Sequence, residues 1–350
     1  MITSLPTITI SSPIRLISFT DLSRESRCPL QSLPRSCVSI EGAPSTHAPS
    51  RPLIVGRFFH EMLKDSACYM EDPINVGVRS IRRLYKDKVT KYKREYEGAD
   101  TQPSLGIEYW SEMTDVLASV IDDFRVCRRQ RIHPKREEYI AYTDAAMHGI
   151  IDEIVVTTDG IAVREFKATK SLEALVSDRH IDQLHFYAAL IEAEYGEPPT
   201  SMHLQGLLGI SQTIHVDEVR KRTLQERAKA FISRINRKID ESPTLSAICS
   251  PDETVCSSCA YSAFCPGLIH GTHDFDLPEE RKTVVIRVRE GLANVVAGTA
   301  LQAQGLGIDC TNAAFSSSDF NSDEKYVLAN IKIENETITA NSNSQVWRMG

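Results

Sequence analysis

At 350 residues and a formal net charge of −7, with 41% hydrophobic and 25% charged residues, the chain is long enough to bury a substantial core and has the composition of an ordinary soluble globular protein. Net charge alone does not advertise a nucleic-acid binder, and no apolar run reaches the ~18 residues that a bilayer span needs. The stretch MITSLPTITISSPIRL lacks a charged start followed by an apolar run, so a cytoplasmic protein is expected, in which nine cysteines read as reduced thiols or metal ligands rather than disulfides.

Residues 1–50 are rich in Ser, Pro and Arg and irregular, apart from LISFTDLSRESRCP (16–29). There Thr20 or Asp21 can cap a short helix ending at Cys28-Pro29. Residues 56–70 have helical spacing through Phe59, Met62, Leu63 and Ala67. Residues 77–130 look helical, interrupted at 97–106. Two basic runs fall in or beside this part. One, over 79–94, sets Arg79, Arg82, Arg83, Lys86, Lys88, Lys91, Lys93 and Arg94 against the single acid Asp87. The other, over 125–136, holds Arg125, Arg128, Arg129, Arg131, Lys135 and Arg136. Such runs are usually solvated helix faces, and they gain meaning only beside a nuclease site, because backbone affinity comes chiefly from Lys and Arg.

A strand candidate at 138–144 precedes GIIDEIVVTTDGIAVREFKATK (149–170). Ile150, Ile151, Ile154, Val155 and Val156, then Ile161 and Val163, make two β-branched runs around Asp159-Gly160, the usual signal for a two-residue type I′ hairpin. That turn would set Thr158 opposite Ile161, Val156 opposite Val163, Ile154 opposite Glu165 and Asp152 opposite Lys167. Asp152, Glu165 and Lys167 then share one face. Two acids and a lysine on an apolar hairpin are costly to bury unless a cation or ligand compensates them. The plain alternative is a surface hairpin with an Asp–Lys cross-strand pair.

Beyond the hairpin, Ser177 or Asp178 can cap a helix that stops at Gly196, with Ile181, Leu184, Ala188 and Ile191 as its apolar stripe and Gln183 and Tyr187 one turn apart on an adjoining face. A strand over 200–210 and a charged helix over 216–241 follow. The order of helix, three strands, helix, strand and helix fits an α/β core. After residue 270 the texture turns to strands and polar loop, which suggests a small, mainly β appendage over 271–350 of unknown role.

In CSSCAYSAFCP, Cys256 and Cys259 have the Cys-x-x-Cys spacing that lets two thiolates grip one metal or cluster, and Cys265 adds a third. A fourth ligand must come from elsewhere. Cys249 or His270 would complete a zinc site, and a chance cluster without metal is the plain alternative. Cys37, Cys68, Cys127 and Cys310 read as structural or free thiols.

Taken in order, six short motifs resemble the Cas4/RecB-like branch of the PD-(D/E)xK nuclease superfamily. They are Cys28-Pro29 after a short helix; Gly56 and His60 in GRFFH; Gly149 and Asp152 in GIID; Glu165 and Lys167 in EFK; Gln183 and Tyr187 in QLHFY; and Cys256, Cys259, Cys265 and Pro266. The resemblance spans residues 16 to 267. It implies a PD-(D/E)xK restriction-endonuclease-like core, a mixed sheet flanked by helices, over residues 1–270. A helical insertion would occupy about 77–135.

It further implies a Mg²⁺- or Mn²⁺-dependent deoxyribonuclease acting on single-stranded DNA ends or flaps. His60, Asp152, Glu165 and the carbonyl of Phe166 would hold the metal. Lys167 would orient the attacking water, and Gln183 and Tyr187 would position the strand or a second water. Cys28, Cys256, Cys259 and Cys265 would ligate a structural [4Fe–4S] cluster. The implied settings are CRISPR adaptation, antiviral defence or recombinational repair, beside a helicase, integrase or other repair protein. Two competing readings remain: a catalytically silent nuclease-like scaffold that binds DNA or a partner, and a zinc-stapled protein with an unrelated hairpin.

Overall fold

The computed structural model describes residues 51–96 and 107–241 throughout, and otherwise residues 3–4, 7–10, 13–25, 28–33, 37–41, 248–252, 256, 259, 265–269, 283–289, 292–298, 307–309, 320–321, 324–334 and 337–348. The chain divides into two compact units, Ala48–Ala230 and the combination of Met1–His47 with Phe231–Gly350.

The unit Ala48–Ala230 begins with three helices: α1 (Arg51–Ser66), α2 (Ile74–Tyr96) and α3 (Ile107–Gln130). Three strands follow, β1 (Lys135–Tyr142), β2 (Met147–Thr157) and β3 (Gly160–Phe166). Next come α4 (Asp178–Tyr195), β4 (Ser201–Gln205), β5 (Ser211–Ile214) and α5 (Glu218–Glu241), inside which the unit boundary falls. The strands make one five-stranded sheet in the order β1-β2-β3-β4-β5. Every pairing is antiparallel except β3 with β4. That parallel pair needs a long connection, and α4 lies within it. The expected α/β class, a mixed sheet flanked by helices, is the observed one.

Apolar spacing explains the helical layer. Phe58, Phe59, Met62 and Leu63 of α1, Tyr92 of α2, and Val116, Val120 and Phe124 of α3 form one buried cluster that also takes in Phe166 at the end of β3. The Phe59 and Phe166 rings meet edge to face at 5.7 Å, a favoured aromatic geometry. Burial of each such side chain contributes roughly 1.5–3 kcal/mol. Helix α4 is capped as its sequence suggests. The Ser177 hydroxyl accepts from His180 N at its start, and Gly196 ends it in the left-handed region at φ 80°. Leu184 through Ile191 are all buried.

Three local expectations are corrected. The hairpin does not turn on Asp159-Gly160. Thr157 pairs with Gly160 and Val156 with Ile161, so the turn residues are Thr158 and Asp159, and the positive φ, 118°, falls on Gly160 at the start of β3. The register therefore differs by two residues from the expected one. The shift preserves which side chains share a face, but puts Asp152 opposite Glu165 instead of Lys167. Second, the predicted strand 200–210 stops at Gln205. A turn with Leu208 at φ 56° sends the chain back as β5. Third, the helix after residue 16 is only Phe19–Leu22, capped by Ser18, whose hydroxyl accepts from Asp21 N.

In the other unit, strands Thr7–Ile10 and Val38–Glu41 pair antiparallel. Among the described residues of 283–348 every element is a strand: Thr283–Arg289, Leu292–Gly298, Lys325–Glu334 and Thr337–Arg348 form antiparallel neighbours. Thr3–Ser4 and Gly307–Asp309 add to the last of these in parallel. The Asn236 amide bonds both the N–H and the C=O of Ile14 at 2.9 Å, fastening the N-terminal segment to the C-terminal half of α5. No helix among the described residues is long and apolar enough to cross a membrane.

Candidate metal centre

Register places the carboxylates. On β1 and β2, Arg136 pairs with Glu153 and Glu138 with Ile151, so Glu137 lies across from Asp152. On β2 and β3, Glu153 pairs with Arg164, so Asp152 lies across from Glu165. Three acids thus stand in one row across three adjacent strands. Helix α1 brings His60 to that row: its Nδ1 is 3.3 Å from Glu137 Oε1 and 3.3 Å from Asp152 Oδ1. His60, Glu137 and Asp152 each offer a ligand atom within 4.8 Å of the others.

From there a chain of contacts runs inward. Asp152 Oδ2 accepts from the Phe166 amide at 2.8 Å. Lys167 Nζ donates to Glu165 Oε1 at 2.5 Å and to Gln183 Oε1 at 3.0 Å. Gln183 Nε2 donates to the Tyr187 hydroxyl at 2.9 Å, which donates in turn to the Ile150 carbonyl at 3.0 Å. The absence of a side chain at Gly149 permits this. A Cβ there would lie 3.0 Å from Leu190 and 3.1 Å from Tyr187, so a larger residue would have to push those two side chains of α4 back. All six sequence-predicted side chains, His60, Asp152, Glu165, Lys167, Gln183 and Tyr187, are brought into this one network, with the backbone of Phe166.

The electrostatics are those of a site short of positive charge. The Glu165 side chain is 2% exposed, Asp152 10%, Glu137 26% and His60 30%. Burial pushes Asp152 up to about 7, against the pull of Lys167 and the Phe166 N–H. Burial, then the neighbouring Asp152, pushes Glu165 up to about 8, although Lys167 opposes this. Burial and the same two acids hold the Tyr187 hydroxyl well above its usual range. Among the described residues Glu165 Oε2 is buried without a hydrogen-bond partner. A divalent cation relieves all of these together, and carboxylates with one imidazole suit Mg²⁺ or Mn²⁺. The residues present therefore fit such an ion.

The adjacent row of the same strands points to the opposite side of the sheet. There Arg136 Nε donates to Glu153 Oε2 at 2.8 Å, and Arg164 Nε stands 2.9 Å from Glu153 Oε1 as an ion pair. Asp123 of α3 takes the other side of both guanidiniums. Burial opposes the charge on Arg136, and Asp123 and Glu153 outweigh it. Arg136 also donates to the Leu63 carbonyl and the Ser66 hydroxyl at the end of α1. Each strand thus carries a metal-side residue and, next to it, a member of this cluster: Glu137 with Arg136, Asp152 with Glu153, Glu165 with Arg164.

Sequence reasoning missed Glu137. It lies just outside the strand that the sequence predicts from 138, and its backbone takes the left-handed region at φ 55°, which nothing in a glutamate announces. Pairing the acid-rich PKREEYIAY stretch against GIID would have been the signal.

In the other unit Cys28, Cys256, Cys259 and Cys265 are all nearly buried, and the Ser250 amide donates to Cys28 Sγ at 3.5 Å. Burial pushes the Cys256 thiol up to about 12, with Cys259, Cys265 and Cys28 adding to the effect. The hydrogen bond with Cys249, and then burial, push the Cys265 thiol up as well. Cys249 joins them, its Sγ 3.6 Å from that of Cys265, and the hydrogen bond from Cys265 lowers its pKa. His270, the other proposed fourth ligand, lies outside the described residues, as does Cys310.

A family model for the PD-(D/E)XK nuclease superfamily matches residues 16–266, well over half of the chain. The chain belongs to the PD-(D/E)XK nuclease superfamily. Among curated proteins none matches. A solved structure described as "Crystal structure of SSO0001" aligns at 18% identity over 61% of this chain and 98% of that one, with a TM-score of 0.27. So distant a likeness adds nothing to the family assignment.

Proposed function

We propose that this member of the superfamily is a Mg²⁺- or Mn²⁺-dependent deoxyribonuclease of the Cas4/RecB-like branch, hydrolysing phosphodiester bonds in single-stranded DNA at ends or flaps. The observation that carries the reading is the meeting of Asp152, Glu165 and Lys167 from adjoining strands with His60 from α1. His60, Asp152, Glu165 and the Phe166 carbonyl are the assigned ligands, and Glu137 is an additional carboxylate at the same place. A bound divalent ion supplies Lewis acidity toward the phosphodiester and lowers the pKa of attacking water.

The chain's own residues do the rest. Lys167, steadied between Glu165 and Gln183, presents an ammonium toward the charge that develops on phosphorus and orients the water. Gln183 and Tyr187 fix Lys167 and tie it to the β2 backbone through Ile150. Arg79, Arg82, Arg83 and Lys86 line a surface cavity of about 290 Å³ on α2, chemistry suited to a phosphate backbone; with the exposed Arg129, Arg131 and Lys135 of the 125–136 run they are the proposed DNA path, from which the buried Arg136 is excluded. Cys28, Cys256, Cys259 and Cys265 are the proposed ligands of a structural [4Fe–4S] cluster, which would join segments more than 200 residues apart. CRISPR adaptation, antiviral defence and recombinational repair, with a helicase or integrase as partner, are the settings in which such an activity belongs.

The deciding experiment is anaerobic purification followed by Mn²⁺-dependent digestion of end-labelled single-stranded DNA. Wild type should degrade it and Glu165→Ala should not, and the purified protein should be brown. Equal activity of the two proteins refutes the assigned site. A colourless, iron-free protein that still cuts refutes only the cluster.

A further inference from the structure

Beside the metal centre, a groove of about 440 Å³ runs over α1 and is walled by Pro52, Leu53, Gly56, Arg57 and Lys64. Its far wall is His60 and Glu137, two residues of the metal centre itself. The volume is in the range of ligand-sized clefts. Its lining divides into an apolar end, with Leu53 62% exposed, and a cationic rim of Arg57 and Lys64. Arg57 is itself engaged by Glu61 at 3.1 Å and by Glu95 at 3.5 Å, and Glu61, the one further acid in the wall, also meets Lys88 at 3.0 Å, so Lys64 carries the charge of the rim.

Gly56 lies inside α1, where glycine is less stable than alanine. No contact among the described residues explains it. Its φ is not in the positive region, and among the described residues nothing comes within 4 Å of where a Cβ would stand. One helical turn separates it from His60, so both sit on the same side of the helix. The space kept free at Gly56 therefore opens directly onto the metal ligand.

We infer that this groove binds one nucleotide of the substrate strand next to the scissile phosphate, sugar and base against Pro52 and Leu53, flanking phosphate at Lys64, with Gly56 as the floor that lets the strand pass close to α1. The occupant follows from continuity with the metal centre and from Lys64 at the rim: an apolar cleft with a cation at its edge, ending at a phosphodiester-cutting site, matches a nucleoside flanked by phosphate. The inference rests on the nuclease reading above.

The test uses the full-length protein and three readouts: Mn²⁺ affinity by calorimetry, binding of a fluorescent oligothymidylate in Ca²⁺, and steady-state cleavage in Mn²⁺. Gly56→Leu fills the floor. It should weaken oligonucleotide binding and raise KM by about tenfold or more, equivalent to about 1.4 kcal/mol, while Mn²⁺ affinity stays at the wild-type value. Gly56→Ala, which adds one methyl group, should have a much smaller effect. Leu53→Asp puts a negative charge on an exposed groove position and should weaken binding without touching the fold, which decides the matter should Gly56→Leu not fold.

Wild-type oligonucleotide affinity in Gly56→Leu, or in Leu53→Asp where that variant decides, overturns the groove. So does a wild-type protein that binds no oligonucleotide at all. A wild-type protein that binds Mn²⁺ and oligonucleotide but leaves the strand intact sinks hydrolysis alone, and the groove then stands or falls on the binding measurements.

Discussion

Replacing Glu153 by Gln removes one of two acids that hold a pair of buried guanidiniums. Glu153 is wholly buried, with Arg136 at 2.8 Å and Arg164 at 2.9 Å. The amide keeps the shape but can no longer balance either charge, and Asp123 alone then faces both arginines. Breaking a buried ion pair by removing one partner typically costs about 3–5 kcal/mol, because a charge is left uncompensated in a dry environment. Set against the about 5–15 kcal/mol of a typical native protein, that is a large share.

With a urea slope of about 2 kcal/mol per molar, the unfolding midpoint should fall by roughly 2 M. Urea titration by circular dichroism reads this directly. The paired variant Glu153→Gln with Arg164→Met, which removes a charge of each sign, should recover part of the loss, as coupled neighbours do. A second consequence is specific to the site. Glu153 precedes no metal ligand in function but adjoins Asp152 in sequence, so Mn²⁺ affinity should fall in the fraction that remains folded. A midpoint within about 0.3 M of wild type, corresponding to less than about 1 kcal/mol, would refute the claim that this cluster is dry and mutually dependent.

Four further outcomes are expected. Asp152 and Glu165 are raised to about 7 and about 8 from ordinary values of 3.8 and 4.5, so the metal-free fold holds protons there that the unfolded chain has lost. The stability these two groups give is full below about pH 4 and is lost as pH rises through 7 to 8; Mn²⁺ affinity runs the other way, rising over that window with release of protons, which calorimetry in buffers of different ionisation heat will count. Glu137→Gln should weaken Mn²⁺ by about 10–100-fold while leaving the thermal midpoint of the metal-free protein unchanged or higher. Tyr187→Phe deletes the hydroxyl between Gln183 and Ile150, and should cost about 1 kcal/mol of stability and lower kcat more than it weakens Mn²⁺. Cys256→Ser should abolish visible absorbance of anaerobically purified protein, whereas Cys249→Ser should retain it; the reverse pattern would reassign the ligands.

Much of the core was legible because periodicity carries it. The β-branched runs of β2 and β3 alternate on a period of two, so a turn misplaced by one position on each side still left Asp152, Glu165 and Lys167 on one face. The cap at Ser177 and the stop at Gly196 are local chemistry, and local chemistry can be read from a short window. What escaped depends on the partner strand. Glu137 becomes a neighbour of Asp152 only through the β1–β2 register, at a φ that its side chain does not favour. Strand β5 was hidden because Leu208 sits in the left-handed region where the sequence reads as a continuing strand. Arg136 belongs to a basic run whose composition predicts a solvated face, yet its side chain is 3% exposed and bonded to two acids.

The burial of Arg136 shows how the site is built. A sheet alternates its side chains, so consecutive residues on each of three strands serve opposite sides. On one side Glu137, Asp152 and Glu165 gather negative charge with little to offset it, which disfavours the empty fold and favours a cation. On the other, Arg136, Glu153 and Arg164 pair their charges with one another and with Asp123, and Arg136 also grips the end of α1, the helix that carries His60. A slip of one residue in either pairing would exchange the two rows, driving acids into the ion-paired layer and guanidiniums into the metal centre. The balanced row therefore penalises the one-residue slips that would scatter the unbalanced row. The charges that look out of place in an apolar hairpin are thus two layers, one that specifies the pairing and one that the pairing serves.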